Sequence, residues 1–392
     1  MRVYFGVCGV GLGHAGRCTP VARKLLEKGD EVLFSTYSDA CDYIRAEGLP
    51  LREAPPIYFA VKPDGSVDFR QTTAYPGIFS TIIFLNQLRA ELQFMKDFQP
   101  DFVVSDSRVS SILAAKTLGI PQVTVLNLYR VRIPRERRFL RLAQIADGGI
   151  LTVVGMVWNM GEEVLIPDFL PPYTLSADNL GIPPRRKKKV RFIGPVIEVK
   201  PNDLPRREEI REKLGVDEDE LFIFVSISGP STEKRHFISM MKELVKKFPN
   251  NYRIAISLAE PNSLKEPIKR GNVTIYPWLH NRFEFLKACD VVVSRAGLGT
   301  ISQSICYGKP LVLIPTPNHT EQLNNAKRTE ALKLGKILDQ RNLSYEDLVT
   351  SIRDLSDEPF VSRVKEVQQE ALKYDAIGTM VEVISNHRNS TI

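Results

Sequence analysis

The sequence predicts two doubly wound α/β domains facing each other across a cleft. Three observations carry this. Short β-branched strands alternate with amphipathic helices in two separate blocks, the pattern of parallel sheets covered by helices on both faces. The length, 392 residues, exceeds what one ordinary core supports. A segment rich in proline, glycine and charge parts the two blocks, running from Pro171-Pro172 through Gly181-Ile182-Pro183-Pro184 and Arg185–Lys189 to Gly194-Pro195. The expected division is 1–195, 196–373, and a last helix over 374–392 that crosses back to the first domain.

Composition narrows the class. Charged residues at 25% and hydrophobic ones at 43% describe a globular protein. Five scattered cysteines (Cys8, Cys18, Cys41, Cys289, Cys306) show no paired spacing, which fits a reducing cytosol and argues against structural zinc. The chain opens directly on the strand Arg2-Val3-Tyr4-Phe5, so no signal peptide is expected. No uninterrupted apolar run reaches the ~20 residues of a spanning helix. The net charge is +7, and residues 1–200 hold 26 Lys+Arg against 20 Asp+Glu, whereas the rest hold 27 against 26. That one-sided excess implies an anionic partner for the first half. Nucleic acid is not expected, since no helix-turn-helix, zinc finger or RNP-like strand is legible. An anionic membrane surface is the better candidate.

Arg2–Cys8 reads as the first strand, Gly9–Gly16 as a glycine-rich turn, and 19–28 as a helix with Val21, Ala22, Leu25 and Leu26 on one face. Gly11, Gly13 and Gly16 formally spell GxGxxG. A dinucleotide site also needs an acid after the second strand, and Ser35-Thr36-Tyr37 stands there instead, so NAD(P) is not expected. His14 lies at the C-terminal end of the first strand, where α/β folds place reactive groups. A structural role, capping the helix or bonding a carbonyl, competes with a catalytic one. Asp106 ends the strand over 100–106 on the same rim, either as a partner for His14 or as a helix N-cap.

Two stretches of the first domain look greasy or basic. Residues 76–98 predict a long helix, nearly all apolar at Ile78, Phe79, Ile82, Ile83, Phe84 and Leu85, hence buried or a surface for something greasy. Tyr129–Arg141 interleaves six arginines, Arg135, Arg137 and Arg138 among them, with Val131, Ile133, Phe139 and Leu140. This pattern fits an interfacial membrane patch, or a solvated basic helix followed by a buried strand over 149–158.

In the second block a strand over 221–226 runs into Ser228-Gly229-Pro230, where Ser228 and Gly229 offer phosphate contacts, and a helix follows over 234–247. Strands over 253–257 and 273–276 come next, and helices begin near Ser344, Phe360 and Tyr374. Asp217-Glu218-Asp219 contains a DxD, read as a solvated turn on the edge remote from ligands. No metal-ligand cluster remains, and neither metal nor other cofactor is expected.

The densest signal is 289–326, CDVVVSRAGLGTISQSICYGKPLVLIPTPNHTEQLNNA: strand, glycine turn, helix, strand, loop, helix. Unpaired N–H groups of Gly297, Leu298, Gly299 and Thr300 at a helix start, aided by the helix dipole, can capture an anion. Thr300 adds a hydroxyl and Arg295 a full charge. Glycines serving packing alone would give the same turn. Asn318, His319, Glu321 and Gln322 stand at the C-terminal end of the adjacent strand, the ligand edge of an open α/β sheet, and favour the binding role.

This stretch resembles the nucleotide-sugar signature of the UDP-glycosyltransferases and of family 28, the bacterial lipid II-forming N-acetylglucosaminyltransferases. GxGxGH before an amphipathic helix resembles their start, and Phe192-Ile193-Gly194-Pro195 their hinge entry. The resemblance implies the glycosyltransferase B fold, with 1–195 taking the acceptor and 196–373 the nucleotide sugar. It implies that Gly297–Thr300 hold the diphosphate; Gly13, Ser228, Gly229 and Arg295, at the same strand-end rim, are expected as further donor contacts. By the same resemblance Trp278 and Leu279 stand where these families pack and hydrogen-bond uracil, and Glu321-Gln322 are expected to take sugar hydroxyls. Gln303 stands at the ribose position, where both families usually have Glu. His14 is implied as catalytic base and Asp106 as its orienting partner, although the lipid II-forming family lacks that aspartate.

The implied activity is inverting transfer of a hexosyl or N-acetylhexosaminyl unit from a UDP-sugar to an acceptor hydroxyl. The expected acceptor is lipid-linked at the cytoplasmic membrane face, reached through Ile82, Ile83, Phe84, Arg135, Arg137 and Arg138. A UDP-N-acetylglucosamine 2-epimerase, which shares the fold, needs more cleft acids than Asp106 and Glu321. A non-catalytic nucleotide-sugar-binding subunit would leave His14 without a task.

Overall fold

The computed structural model describes residues 1–57, 62, 77–128, 155–182 and 184–390. Strands β1 (Arg2–Val7), β2 (Glu31–Thr36), β3 (Leu51–Glu53), β4 (Phe102–Asp106), β5 (Gln122–Val125), β6 (Val164–Ile166) and β7 (Val190–Phe192) form one parallel sheet in the order β3-β2-β1-β4-β5-β6-β7. A second sheet holds β8 (Leu221–Ser226), β9 (Tyr252–Ser257), β10 (Ile268–Arg270), β11 (Val273–Tyr276), β12 (Val291–Ser294), β13 (Leu311–Leu313) and β14 (Gly335–Ile337), ordered β10-β11-β9-β8-β12-β13-β14. Only β10 among these runs antiparallel, along β11. Sequence patterning passed over β10 because Ile268-Lys269-Arg270 is an exposed edge, without the apolar run that marks a buried strand.

The strand orders decide where ligands belong. In each sheet the order reverses between two central strands, β1 and β4 in the first, β8 and β12 in the second. At such a switch point the flanking connections leave in opposite directions and open a crevice beyond the carboxyl ends of the strands. Both crevices face one cleft.

Helix α1 (Gly13–Glu27) begins six residues before the helix read from sequence. Ala15 and Cys18, both fully buried, extend the apolar face of Val21, Ala22 and Leu25 by one turn, and that burial outweighs the low helix propensity of Gly13 and Gly16. His14 therefore sits on the first helical turn rather than on a loop. Helix α2 (Asp39–Ala46) follows β2, and α3 (Gly77–Phe98) spans the long apolar stretch. Ile82 and Leu85 of α3 are exposed, Ile83 and Phe84 half-buried, and its later turns face inward through Gln87, Glu91 and Met95. Gly155–Trp158 is helical, not extended, while 149–154 lie outside the described residues, as do Arg135, Arg137 and Arg138. No helix of the described residues is long and apolar enough to cross a membrane.

The segment between the sheets does more than link them. Phe169 and Leu175 are buried in the core of the second domain, and Asn179 of the short helix α5 (Ala177–Leu180) pairs with Asn325 and Asn324. The chain then returns to β7 before entering the second domain. At the far end, helix α13 (Ala376–Ser390) buries Ala376, Met380, Val381 and Ile384 among the residues of β1, α1 and β4, so the last helix does cross back onto the first domain.

Candidate active site

The cleft between the domains holds a cavity of about 300 Å³. On its N-terminal side β1 delivers α1 and β4 ends in Asp106, whose register opposite Val7 sets the carboxylate beside the first turn of α1. His14 Nδ1 lies 2.7 Å from Asp106 Oδ1. Arg17, one turn further along the same helix face, grips the same carboxylate twice, Nε donating to Oδ2 and Nη2 to Oδ1, each at 2.5 Å. Arg17 Nη2 is also 2.9 Å from His14 Nδ1 and 3.4 Å from Asn127 Oδ1. Asn127 Nδ2 in turn donates to Glu321 Oε1 across the cleft, at 2.8 Å.

The electrostatics follow from this packing. Asp106 is fully buried, and burial alone would raise its pKa; the Arg17 guanidinium and the His14 imidazole outweigh that and hold it well below the usual carboxylate range. Burial likewise opposes the charge on Arg17, and Asp106 more than restores it, raising its pKa. A charged carboxylate thus stands behind the imidazole, the arrangement that orients a histidine base and stabilises its protonated form.

The C-terminal side is built from bare backbone. Helix α9 (Leu298–Cys306) starts at Gly297 with no side-chain cap and no acid in its first turn, so its leading N–H groups open onto the cavity. The loop after β8 lies beside it. Gly229 takes φ +107°, and a Cβ there would come within 3.0 Å of Arg295 Nη1, so only glycine fits. Gly11, at φ +68°, approaches the Gly229 backbone from the other domain so closely that a Cβ would stand only 3.3 Å from the Gly229 Cα.

Residues 224–378 match the family model described as the glycosyltransferase family 28 C-terminal domain, and residues 1–158 match one described as glycosyl transferase family 1. An uncharacterized glycosyltransferase of Methanosarcina mazei is 26% identical over the full length of both chains. The UDP-N-acetylglucosamine--N-acetylmuramyl-(pentapeptide) pyrophosphoryl-undecaprenol N-acetylglucosamine transferase of Acetivibrio thermocellus is 31% identical, over 78% of this chain and 79% of that one. The chain belongs to the family 28 glycosyltransferases. Its fold is the two-domain glycosyltransferase B arrangement. The Streptomyces sp. SF2575 glycosyltransferase solved with thymidine diphosphate superposes with a TM-score of 0.64 at 14% identity, covering 98% of this chain and 99% of that one.

In this family 28 enzyme most residues singled out from sequence line the one cavity: Gly13, His14, Ser228, Gly229, Trp278, Leu279, Gly297–Thr300, Gln303, His319, Glu321 and Gln322. Their individual tasks differ from the expectation in places. Arg295 reaches the cavity wall, but its guanidinium turns inward to the Ser228 carbonyl, Thr316 Oγ1 and Glu233, at 1% exposure. Burial lowers its pKa against the opposing pull of Glu233, so its charge is largely compensated within the protein. His319 caps helix α10 (Thr320–Ala331), its Nδ1 accepting from Gln322 N, and Gln322 Oε1 accepts from Thr316 N. Asn318 is exposed at φ +64°, accepts from Arg341 at 3.5 Å, and does not line the cavity. Trp278 packs edge-on against Tyr43 of the other domain, ring centroids 5.9 Å apart.

Sequence reasoning missed Arg17, Asn127 and Tyr43. Arg17 had a legible signal, standing three residues after His14 on what becomes one helix face. Asn127 follows β5 on the same strand edge as Asp106. Tyr43 carried none, since its place in the cleft depends on how the domains meet.

Proposed function

We propose that this glycosyltransferase moves a hexosyl or N-acetylhexosaminyl unit from a UDP-sugar to an acceptor hydroxyl with inversion. The observation that carries it is the His14–Asp106 pair facing the uncapped start of α9 across one cavity. His14 Nε2 takes the acceptor hydroxyl proton while the oxygen attacks the anomeric carbon. The bond from that carbon to the diphosphate oxygen breaks, and its electron pair leaves with the diphosphate. Charge developing there meets the N–H groups of Gly297–Thr300 and the positive end of the helix dipole. Glu321 and Gln322 are the sugar-hydroxyl contacts, and Gln303, with an amide that both donates and accepts, is the ribose contact. No metal or other cofactor enters this reading.

The relatives support the donor class. One is named as a UDP-N-acetylglucosamine-dependent transferase, and a structural neighbour holds thymidine diphosphate. The same relative is named for a pyrophosphoryl-undecaprenol-linked acceptor, which favours a lipid-linked acceptor for this chain, and a cytoplasmic membrane face is its proposed location. A thermal-shift panel of UDP-sugars, UDP and thymidine diphosphate tests the donor without knowledge of the acceptor. Protection by none of them would overturn the reading. Sedimentation with anionic vesicles tests the membrane face. Exposed Ile82 and Leu85, with Arg135, Arg137 and Arg138 beyond them in sequence, predict binding that falls as salt rises, by up to ~3 kcal/mol when the three arginines become serine.

A further inference from the structure

Three arginines among the described residues line the cavity, and two are already committed. Arg17 is held by Asp106, and Arg295 by the Ser228 carbonyl, Thr316 and Glu233. The third, Arg282, opens helix α8 (Arg282–Ala288) just after Trp278-Leu279. Its guanidinium lies over the Phe283 ring, Cζ 4.7 Å from the centroid, and makes no hydrogen bond or ion pair with any described residue. Its Nε is buried without an acceptor. Unmade hydrogen bonds at buried donors are destabilising, and a guanidinium only donates, so this group needs an acceptor oxygen from the ligand.

Its place in the cavity selects which oxygen. The Phe283 ring stacks on Tyr307, centroids 5.8 Å apart, and Tyr307 stands four residues beyond Gln303, on the same face of α9. Burial raises the pKa of Tyr307 and of Tyr43 in the first domain, and the Arg282 charge opposes the rise at each. Arg282 therefore lies between these two rings, beyond the bare start of α9 that faces the diphosphate and close to Trp278 on the base side. That stretch belongs to the ribose. The Gln303 side chain lines the same cavity and also bonds no described residue. Being neutral, it leaves the Arg282 donors free, where a glutamate would draw them into an ion pair. We propose that Arg282 is a donor-specificity residue: with Gln303 it hydrogen-bonds the ribose 2′-hydroxyl, so that the enzyme selects ribonucleoside over 2′-deoxyribonucleoside diphosphate sugars. The hydroxyl gives its proton to Gln303 Oε1 and accepts from the guanidinium. This inference rests on the proposed nucleotide-sugar donor and narrows it, separating UDP-sugars from thymidine diphosphate sugars by their pentose.

The test is calorimetric titration of the full chain with UDP and 2′-deoxy-UDP, which differ only in that hydroxyl. The parent should bind UDP about ten- to hundredfold more tightly, the range for a hydrogen bond to a charged group. Equal affinities overturn the inference without any variant. Arg282→Met keeps an unbranched apolar side chain over Phe283, and its unliganded melting temperature shows that the fold is retained. It should lose about tenfold or more in affinity for UDP and less than about threefold for 2′-deoxy-UDP, so that the discrimination collapses. An equal loss for both nucleotides would mean that Arg282 acts on the diphosphate or on the shape of the cavity, and overturns the inference. UDP binding without discrimination leaves the proposed donor class standing. Binding of neither nucleotide removes that donor class and this inference with it.

Discussion

The two walls of the cleft begin with the same local grammar and end with opposite chemistry. Helix α1 after β1 and helix α9 after β12 both start on the C-terminal edge of a sheet, both lack a side-chain cap, and both lack an acid in the first turn. On α1 the first two turns present His14 and Arg17, and Asp106 closes the group into a compensated set of charges. On α9 the corresponding turn presents Leu298, Gly299 and Thr300, and Arg295, just before it in the chain, is tied to Glu233. A helix start dressed with ionisable side chains holds and moves a proton. The same start left bare holds an anion. In the proposed reaction one local motif thus serves two steps, and substitutions on the two walls should fail in different ways.

The largest expected effect is on the dressed wall. His14→Ala should lower turnover by ~10²–10⁴, the range for a lost general base, while thermal protection by UDP stays within about threefold of the parent. Turnover equal to the parent's with a confirmed acceptor would reduce His14 to a structural residue at a helix start, and the contrast between the walls would vanish.

Next is the carboxylate that organises that wall. Asp106→Asn leaves Arg17, which is 13% exposed, without its counter-charge, and breaking such a pair costs about 3–5 kcal/mol. The effect has a definite pH signature. A carboxyl held below its ordinary range stabilises the fold fully above the unfolded carboxylate pKa of about 4, and that stability is lost as pH falls through the folded value. Urea unfolding of parent and variant should therefore show a large gap at pH 7 that narrows below about pH 4. A gap independent of pH would mean that packing, not the ion pair, holds the site.

How much of this was legible in the sequence follows from the range of the interactions. Strand–glycine–helix units are local, so β1, β4, β8, β12, α3 and the helix starting after Ser344 could be placed within a few residues, and Ser344 Oγ does accept from Asp347 N as a cap should. The cleft residues on either rim were legible because strand ends fix them. The start of α1 was not, since Gly13 and Gly16 read as a turn until the burial of Ala15 and Cys18 is known. Nor was the inward turn of Arg295, which depends on Glu233 and Thr316, 62 and 21 residues away. Contacts between domains, such as Asn127 with Glu321 and Ser231 with Asp39, have no local pattern to betray them.

The bare wall should break by obstruction. A Cβ on Gly299 meets nothing within 4 Å, and its place is the second residue of α9, so Gly299→Val is compatible with the fold. The valine branches would occupy the space over the leading N–H groups, where the diphosphate must approach. UDP affinity should fall by about tenfold or more, or ~1.4 kcal/mol per decade, with the unliganded melting temperature unchanged. Parent-like UDP protection would put the diphosphate elsewhere in the cleft.

The smallest effect separates the backbone from the side chain on that same wall. Thr300 is the third residue of α9, and its backbone N–H belongs to the uncapped first turn whatever its side chain is. Thr300→Ala removes one hydroxyl donor and a methyl group, and leaves the backbone of the bare helix start intact. A single neutral hydrogen bond of this kind contributes about 0.5–1.5 kcal/mol, so UDP binding should weaken by roughly two- to twelvefold, at most about as much as with Gly299→Val. Calorimetric titration of UDP into the parent and both variants orders them. If Thr300→Ala costs clearly more than Gly299→Val, the side chain rather than the helix start carries the anion, and the two walls of the cleft are more alike than their sequences make them look.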